Sequence, residues 1–274
     1  MDADELHRVA LRMLADYDAG RPNEIFAERG TDWLTLDDAY AVQQAVAELR
    51  RGRGERSIGY KVGCVSPAIQ NQFGLHQPVR GYVWESEAHI SGCRLSPSRF
   101  SNLAIEGEIA LRLRHDITTE TASDADVWDC VECWFPVLEL HNYVFRGTKP
   151  TSQELVAANA LHAGFVAARF AESSVAAGAW PTGAEALASA EIRMEIDDQL
   201  VETARPAALQ GGPLGSMRWL VSSLAQAAER LSAGQIVLTG SPGRLIPITE
   251  SCVVRVACAG RQVELRTKKP LTSQ

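Results

Sequence analysis

Glu106 and Glu108 stand two residues apart in the otherwise apolar run AIEGEIALRL, residues 104–113. The run reads as a strand, in which positions i and i+2 point to the same side. Ile105, Ile109, Leu111 and Leu113 then share one face, and the two glutamates share the other. Like charges this close repel and raise each other's pKa unless something positive lies between them. A divalent metal ion is one such thing; a solvated sheet face is the simpler alternative. A third acid lies in FPVLELHNYVF, residues 135–145, where Val137, Glu139 and His141 share a face. Three carboxylates on neighbouring strands make a hard, oxygen-rich site that suits Mg²⁺ or Mn²⁺ better than zinc or copper.

Two further segments carry chemistry-bearing residues. In GYKVG (59–63), Lys61 sits between glycines in a short apolar strand. It is either an edge-strand lysine that discourages aggregation or a cation held near the acids. QIVLTGSPG (235–243) is an apolar strand ending in Gly240-Ser241-Pro242-Gly243. Such a turn presents backbone N–H groups and a hydroxyl that can hold a carboxylate, although ordinary turn chemistry also accounts for it. His76, His141 and His162 each lie near one of these segments. No G-x-S-x-G elbow and no strand-borne G-x-G-x-x-G occurs, which argues against a serine hydrolase of that type and a nicotinamide enzyme.

The elements that must position these residues fall into two textures. Residues 2–19 and the segment from Thr35 to Gly52 have helical periodicity, and Thr35 with Asp38 makes a capping-box pattern. A polar connector, GRPNEIFAERG, separates them. The first 55 or so residues are therefore expected to be a helical segment, and 56–274 a β-rich catalytic domain. Strands are expected over 57–65, 81–85, 104–114, 131–145, 164–170, 190–197, 235–240, 252–259 and 261–267. Asp197-Asp198 and Ala259-Gly260 read as hairpin turns. A helix is expected over 213–234 and a shorter one over Thr151–Asn159. Strands dominate without regular helix alternation, so the fold class is α+β.

The 274 residues carry a formal net charge of −7, with 46% hydrophobic and 22% charged residues. This is ordinary for a soluble globular protein and argues against broad nucleic-acid or anionic-membrane binding. No secretory signal and no membrane-length apolar run is visible, and the scattered cysteines fit a cytoplasmic enzyme with free thiols. Cys130 and Cys133 form a C-x-x-C, but Cys252 and Cys258 lack the matching spacing of a zinc site.

The order of the motifs is more specific than any one of them. DDAYAVQ, GYKVG, FG before a proline, EGEIA, PVLEL, AANA, GGPLGSMRWLVSSLA and AGQIVLTGS follow one another along the chain. Together they resemble the 2-hydroxypentadienoate (2-keto-4-pentenoate) hydratase and 4-oxalocrotonate decarboxylase branch of the fumarylacetoacetate hydrolase superfamily. The resemblance implies a mixed β-sheet roll, a bound Mg²⁺ or Mn²⁺ and a small 2-oxo acid substrate. It implies metal ligation by Glu106, Glu108 and Glu139, catalysis involving Lys61, and substrate contacts at Gly240 and Ser241. It also implies a homo-oligomer, with pairing between homologous hydratases and decarboxylases in some members.

Three segments depart from the branch's pattern. After Phe73-Gly74, D-E-P-D-Y-G is replaced by Leu75-His76-Gln77-Pro78-Val79-Arg80-Gly81. A-D-N-A-S is replaced by Ala157-Ala158-Asn159-Ala160-Leu161, and Glu139 is followed by Leu140-His141-Asn142. His162 or His76 is expected to take over acid–base work, with Leu75 and Arg80 against an altered substrate; Arg80, Arg146 and Lys149 are candidate anchors for a distal anion. The expected reaction is hydration of an unsaturated 2-oxo acid. Decarboxylation of a vinylogous 2-oxo acid, carbon–carbon bond hydrolysis and a catalytically altered partner subunit are the alternatives.

Overall fold

The structure is a computed structural model that describes residues 1–30, 33–117, 123–142, 150–168 and 183–268. The N-terminal region is helical, as its periodicity predicts. Asp2 caps α1 (Ala3–Asp18), accepting a hydrogen bond from the Glu5 amide at 2.8 Å. Thr35 and Asp38 form a reciprocal capping box at the start of α3 (Leu36–Gly52). The expected polar connector contains a further short helix, α2 (Glu24–Arg29), because Ile25 and Phe26 are buried against the neighbouring helices. Val9 and Met13 of α1 and Ala39 and Val42 of α3 pack with Leu155 and Val156 of a later helix, residues 152–157, in one apolar cluster.

The larger sheet has eight strands. Its strands are β1 (Ser57–Gly63), β2 (Val79–Trp84), β3 (Ala88–Ile90), β5 (Leu103–Leu113), β6 (Val131–Asn142), β7 (His162–Ala167), β10 (Ile236–Leu238) and β11 (Ile246–Pro247). They run in the order β2-β1-β10-β5-β6-β7-β3, with β11 on β5. The sheet curls: Val83 of β2 and Phe165 of β7, far apart in strand order, join one buried cluster. The smaller sheet has β4 (Cys93–Leu95), β8 (Ile192–Ile196), β9 (Gln199–Ala204), β12 (Val253–Cys258) and β13 (Arg261–Thr267) in the order β4-β13-β12-β8-β9. The hairpins at Asp197-Asp198 (φ 48° and 63°) and Ala259-Gly260 (φ 50° and 74°) turn where the sequence predicts.

The main core lies between the sheets. Ile105, Ile109, Leu111 and Leu113 of β5 meet Met194, Val254, Val256 and Leu265 there. Gly107 belongs to this face. A Cβ on it would lie 3.0 Å from Val256 Cγ2 and 3.3 Å from Ile192 Cγ2. The glycine between the two glutamates thus lets the second sheet approach β5, while the glutamates point the other way.

The remaining helices are α4 (Pro67–Phe73), α5 (Asp124–Asp129), α6 (Ser152–Ala157), α7 (Ala184–Ser189) and α8 (Gly212–Gln226). α8 stops well short of the expected Gly234. Ala228 turns left-handed at φ 57°, and the Glu229 amide donates to Leu224 O at 2.9 Å, closing the helix in a Schellman-type turn. α6 is also shorter than expected, because Asn159, Ala160 and Leu161 all adopt positive φ, 57°, 50° and 64°. Residues 143–145 of the strand expected over 131–145, residues 169–170 of that expected over 164–170, and the anchors Arg146 and Lys149 lie outside the described residues.

Candidate functional site

The pairing of β5 with β6 sets Glu106 directly opposite Glu139 and Glu108 opposite Val137. Antiparallel partners lie about 4.5–5.5 Å apart, so register alone brings two acids together. β10 bridges β5 to β1: Leu238 pairs with Ala110 on one side and Lys61 on the other. The same sheet face therefore carries Lys61 and the acids. It grades from the apolar Ala110, Phe135 and Leu238 to the charged end.

Lys61 is 3% exposed, with Nζ 3.2 Å from Glu139 Oε1 and donating to Ala160 O at 3.3 Å. Burial alone would lower its pKa, but Glu139, Glu108 and Glu106 outweigh it and raise the ammonium above its ordinary value. The Ala160 carbonyl is presented by the left-handed turn 159–161. That turn is locked on β2: the Asn159 side chain accepts from the Tyr82 amide at 2.7 Å and donates to Tyr82 O at 2.9 Å. Three consecutive non-glycine residues in this region cost of order 1–3 kcal/mol each and persist only where their surroundings hold them.

Glu139 is fully buried and gathers the site. Its Oε1 accepts from His162 Nδ1 at 2.7 Å, and its Oε2 lies 3.1 Å from His141 Nε2. Burial would raise this carboxyl, yet His141 and Lys61 hold it well below the usual carboxylate range. His141 Nε2 is also 3.2 Å from Glu106 Oε2. Burial opposes its charge, but Glu139 and Glu106 push the imidazole up to about 9. Glu108 differs: burial, then Glu139, push its carboxyl well above the usual range against the pull of Lys61. Among the described residues, both Glu108 oxygens and Glu139 Oε2 are buried without a hydrogen bond. Buried carboxylate oxygens left unpaired are costly, and a cation between them removes that cost. One donor atom each from Glu106, Glu139 and His141 lies within 4.8 Å of the others, so these residues fit a metal ion.

Beside this cluster lies a cavity of about 320 Å³, lined by Lys61, Glu106, His141 and Ser241 on its polar side. Ile69 and Phe73 of α4, Leu161 and Leu209 form apolar wall. Thr239 anchors the floor strand by donating to Ile109 O at 2.9 Å. Gly240 then turns left-handed at φ 95°, where a Cβ would lie 2.7 Å from Val65 Cγ1. Ser241 Oγ donates to Gly107 O at 3.3 Å and accepts from the Gly243 amide at 3.0 Å.

Other candidates lie elsewhere. His76 is exposed, and Leu75 is buried in the helical cluster rather than on the cavity wall. Arg80 projects from β2 on the side opposite the cavity-lining Val79. Its guanidinium lies 4.4 Å from the Tyr40 ring centroid and donates to Ser223 Oγ at 3.1 Å. His162 stands behind Glu139 and faces a smaller cavity under α1 and α3. The apolar wall from α4 has no counterpart among the elements expected from sequence. Its signals are present: Ser66 accepts from the Ile69 amide at 3.3 Å, Pro67 opens the helix, and Gly74 closes it at φ 63°.

Comparison with known proteins agrees with this architecture. The chain is 33% identical over 197 residues to a 2-hydroxypent-2,4-dienoate hydratase of Pseudomonas putida, covering 72% of this chain and 85% of that protein. It is 30% identical over 212 residues to a 2-keto-4-pentenoate hydratase of Burkholderia vietnamiensis, covering 77% of each. Its fold superposes on 4-oxalocrotonate decarboxylase from Pseudomonas putida G7, solved with magnesium and adipate, with a TM-score of 0.87 at 22% identity over 98% of this chain and 99% of that one. The profile described as Fumarylacetoacetate (FAA) hydrolase C-terminal matches residues 68–268, which take in every strand but β1 and all three acids of the cluster, and the chain belongs to that family.

Proposed function

We propose that this protein is a divalent-metal-dependent hydratase of a small unsaturated 2-oxo acid. The observation that carries the reading is the set of buried, unpaired carboxylate oxygens of Glu108 and Glu139 beside buried Lys61, which with Glu106 lines a cavity sized for a small acid. The names of the hydratase relatives support the reaction. Glu106, Glu108 and Glu139 would hold the cation, Mg²⁺ or Mn²⁺. When bound, it would polarise the substrate's 2-oxo oxygen and neighbouring carboxylate.

The chain's own groups then have distinct tasks. Lys61 Nζ, kept charged by the surrounding acids, stabilises negative charge on the substrate oxygen as the dienol tautomerises. The turn at Gly240 and Ser241 orients the substrate carboxylate. The side chains of Ile69, Phe73 and Leu161 keep bulk water away, so that addition uses one positioned water. Tautomerisation moves the hydroxyl proton to C5 and leaves a C3=C4 double bond; the water's oxygen then adds at C4, the far carbon of that bond, and its proton at C3, giving a 4-hydroxy-2-oxo acid. His162 fixes Glu139 through its Nδ1–H. The reading implies a cytoplasmic homo-oligomer, alone or with a homologous decarboxylase or hydratase; light scattering on the purified chain measures its size. Among the described residues no helix is long and apolar enough to cross a membrane.

The test is product analysis of 2-hydroxypenta-2,4-dienoate incubated with the Mn²⁺-supplemented protein, alongside Mn²⁺ titration calorimetry. A 4-hydroxy-2-oxo acid is expected, with Mn²⁺ binding lost in Glu106→Gln and Glu139→Gln. CO₂ release from a carboxylated analogue without hydration would transfer the proposal to decarboxylation. No Mn²⁺ binding would leave a non-catalytic partner subunit.

A further inference from the structure

His141 stands two residues beyond Glu139 on the same face of β6. Its cross-strand partner on β5 is Ala104, too small to hold the ring upright. The ring reaches the Glu106–Glu139 pair, with Nε2 3.2 Å and 3.1 Å from their Oε2 atoms. At those distances a ring N–H aimed at either oxygen would make a hydrogen bond. Nε2 is nevertheless buried and makes no well-formed hydrogen bond among the described residues, and neither does Glu139 Oε2. One nitrogen and two carboxylate oxygens thus converge within 4.8 Å, at a place where Glu106 and His141 both line the cavity.

We infer that His141 is a nitrogen ligand of the cation, making this centre a mixed carboxylate–imidazole site that favours Mn²⁺ and Co²⁺ over Mg²⁺. The inference rests on the metal-dependent reading above. Mg²⁺ takes oxygen ligands and holds its waters, whereas imidazole adds affinity that grows from Mn²⁺ through Co²⁺. Glu108, also on this face with both oxygens unpaired, remains available as a further carboxylate donor.

The experiment uses the full chain loaded with Mn²⁺ and read by electron spin-echo envelope modulation, which detects directly coordinated ¹⁴N. Wild-type protein is expected to give the imidazole nitrogen signal, and His141→Leu to lose it. In parallel, calorimetric titration with MgCl₂ and CoCl₂ is expected to show Co²⁺ affinity falling about 10–100-fold in His141→Leu while Mg²⁺ affinity stays within about threefold. Mn²⁺ bound by wild-type protein without nitrogen modulation overturns the inference, whatever the variant does. So does modulation that survives in a folded His141→Leu, or an unchanged Co²⁺/Mg²⁺ ratio. Failure of wild-type protein to bind any divalent cation overturns the metal-dependent reading itself, and is distinct from these results.

Discussion

Lys61 is held between a carboxylate and a carbonyl, and both contacts depend on its charge. Lys61→Met is expected to slow turnover of the hydration substrate about 100-fold or more, the cost of removing one preorganised charge-stabilising donor. Steady-state kinetics with a circular-dichroism control checks this. His76→Ala, at an exposed position off the cavity, is expected to leave kcat within about twofold, since surface changes away from a site have little effect. His162 contacts Glu139 and does not line the cavity. His162→Ala is therefore expected to weaken Mn²⁺ affinity about tenfold, with partial rescue by His162→Asn; a fall in kcat at unchanged metal affinity would instead make it an acid–base group. The acids were legible because strand alternation fixes which side chains share a face. The neighbours of the F-G motif were not. Leu75, His76 and Arg80 are close to it in sequence, but the chain turns at Gly74 and β2 then sends Arg80 to the side opposite Val79. His141 was on the correct face, but no spacing rule states that its ring leans toward Glu106.

Elements hold the site through close backbone approach. A Cβ on Gly81 would lie 2.5 Å from Asn159 O, so β2 and the 159–161 turn touch along their main chains. Gly81→Ala is expected to destabilise the protein by about 1–3 kcal/mol through overpacking. It should also reduce turnover, because the displaced turn carries the Ala160 carbonyl that holds Lys61; urea unfolding and kinetics read the two effects. Thr35→Ala, which removes the capping box of α3, is expected to cost about 1 kcal/mol with no change in kcat. Helix starts were readable at Asp2 and Thr35, but not at Ser66 or Ser123, whose caps open helices of only seven and six residues. Ends were readable less often. α8 ends at a left-handed alanine, Ala228, so the glycine signal that marks most such ends stands six residues too late, at Gly234.

At the scale of the whole molecule, the helical segment is fastened to the curled sheet by a cluster around Arg50. Its Nη2 contacts Glu55 Oε2 at 2.5 Å and Glu87 Oε1 at 2.7 Å, and its guanidinium lies 4.4 Å from the Trp84 ring centroid. Tyr17 of α1 donates to the same Glu87 oxygen at 2.6 Å. Burial would raise the Glu55 carboxyl, but Arg50, Ser86 and Arg53 hold it down at about 2 against an unperturbed 4.5. The folded state therefore gains stability from ionised Glu55 that is fully present above pH 4.5 and lost as pH falls toward about 2. The melting-temperature gap between wild type and Glu55→Gln is expected to narrow across that window, and scanning calorimetry at stepped pH measures it. The α+β class and both hairpins followed from local pattern. The curl of the sheet and the helical cover on its outer side did not, because they join segments far apart in the chain.

Along β5, odd-numbered side chains are interior packing, and Glu106 and Glu108 stand on the opposite face with Lys61, with Gly107 as the thin point between the two layers. The strand therefore has no spare register. Inserting a single residue ahead of Ile105 would turn both acids inward against Met194 and Val256 and drive the isoleucines to the opposite face, so one added codon would erase the core and the acid cluster together.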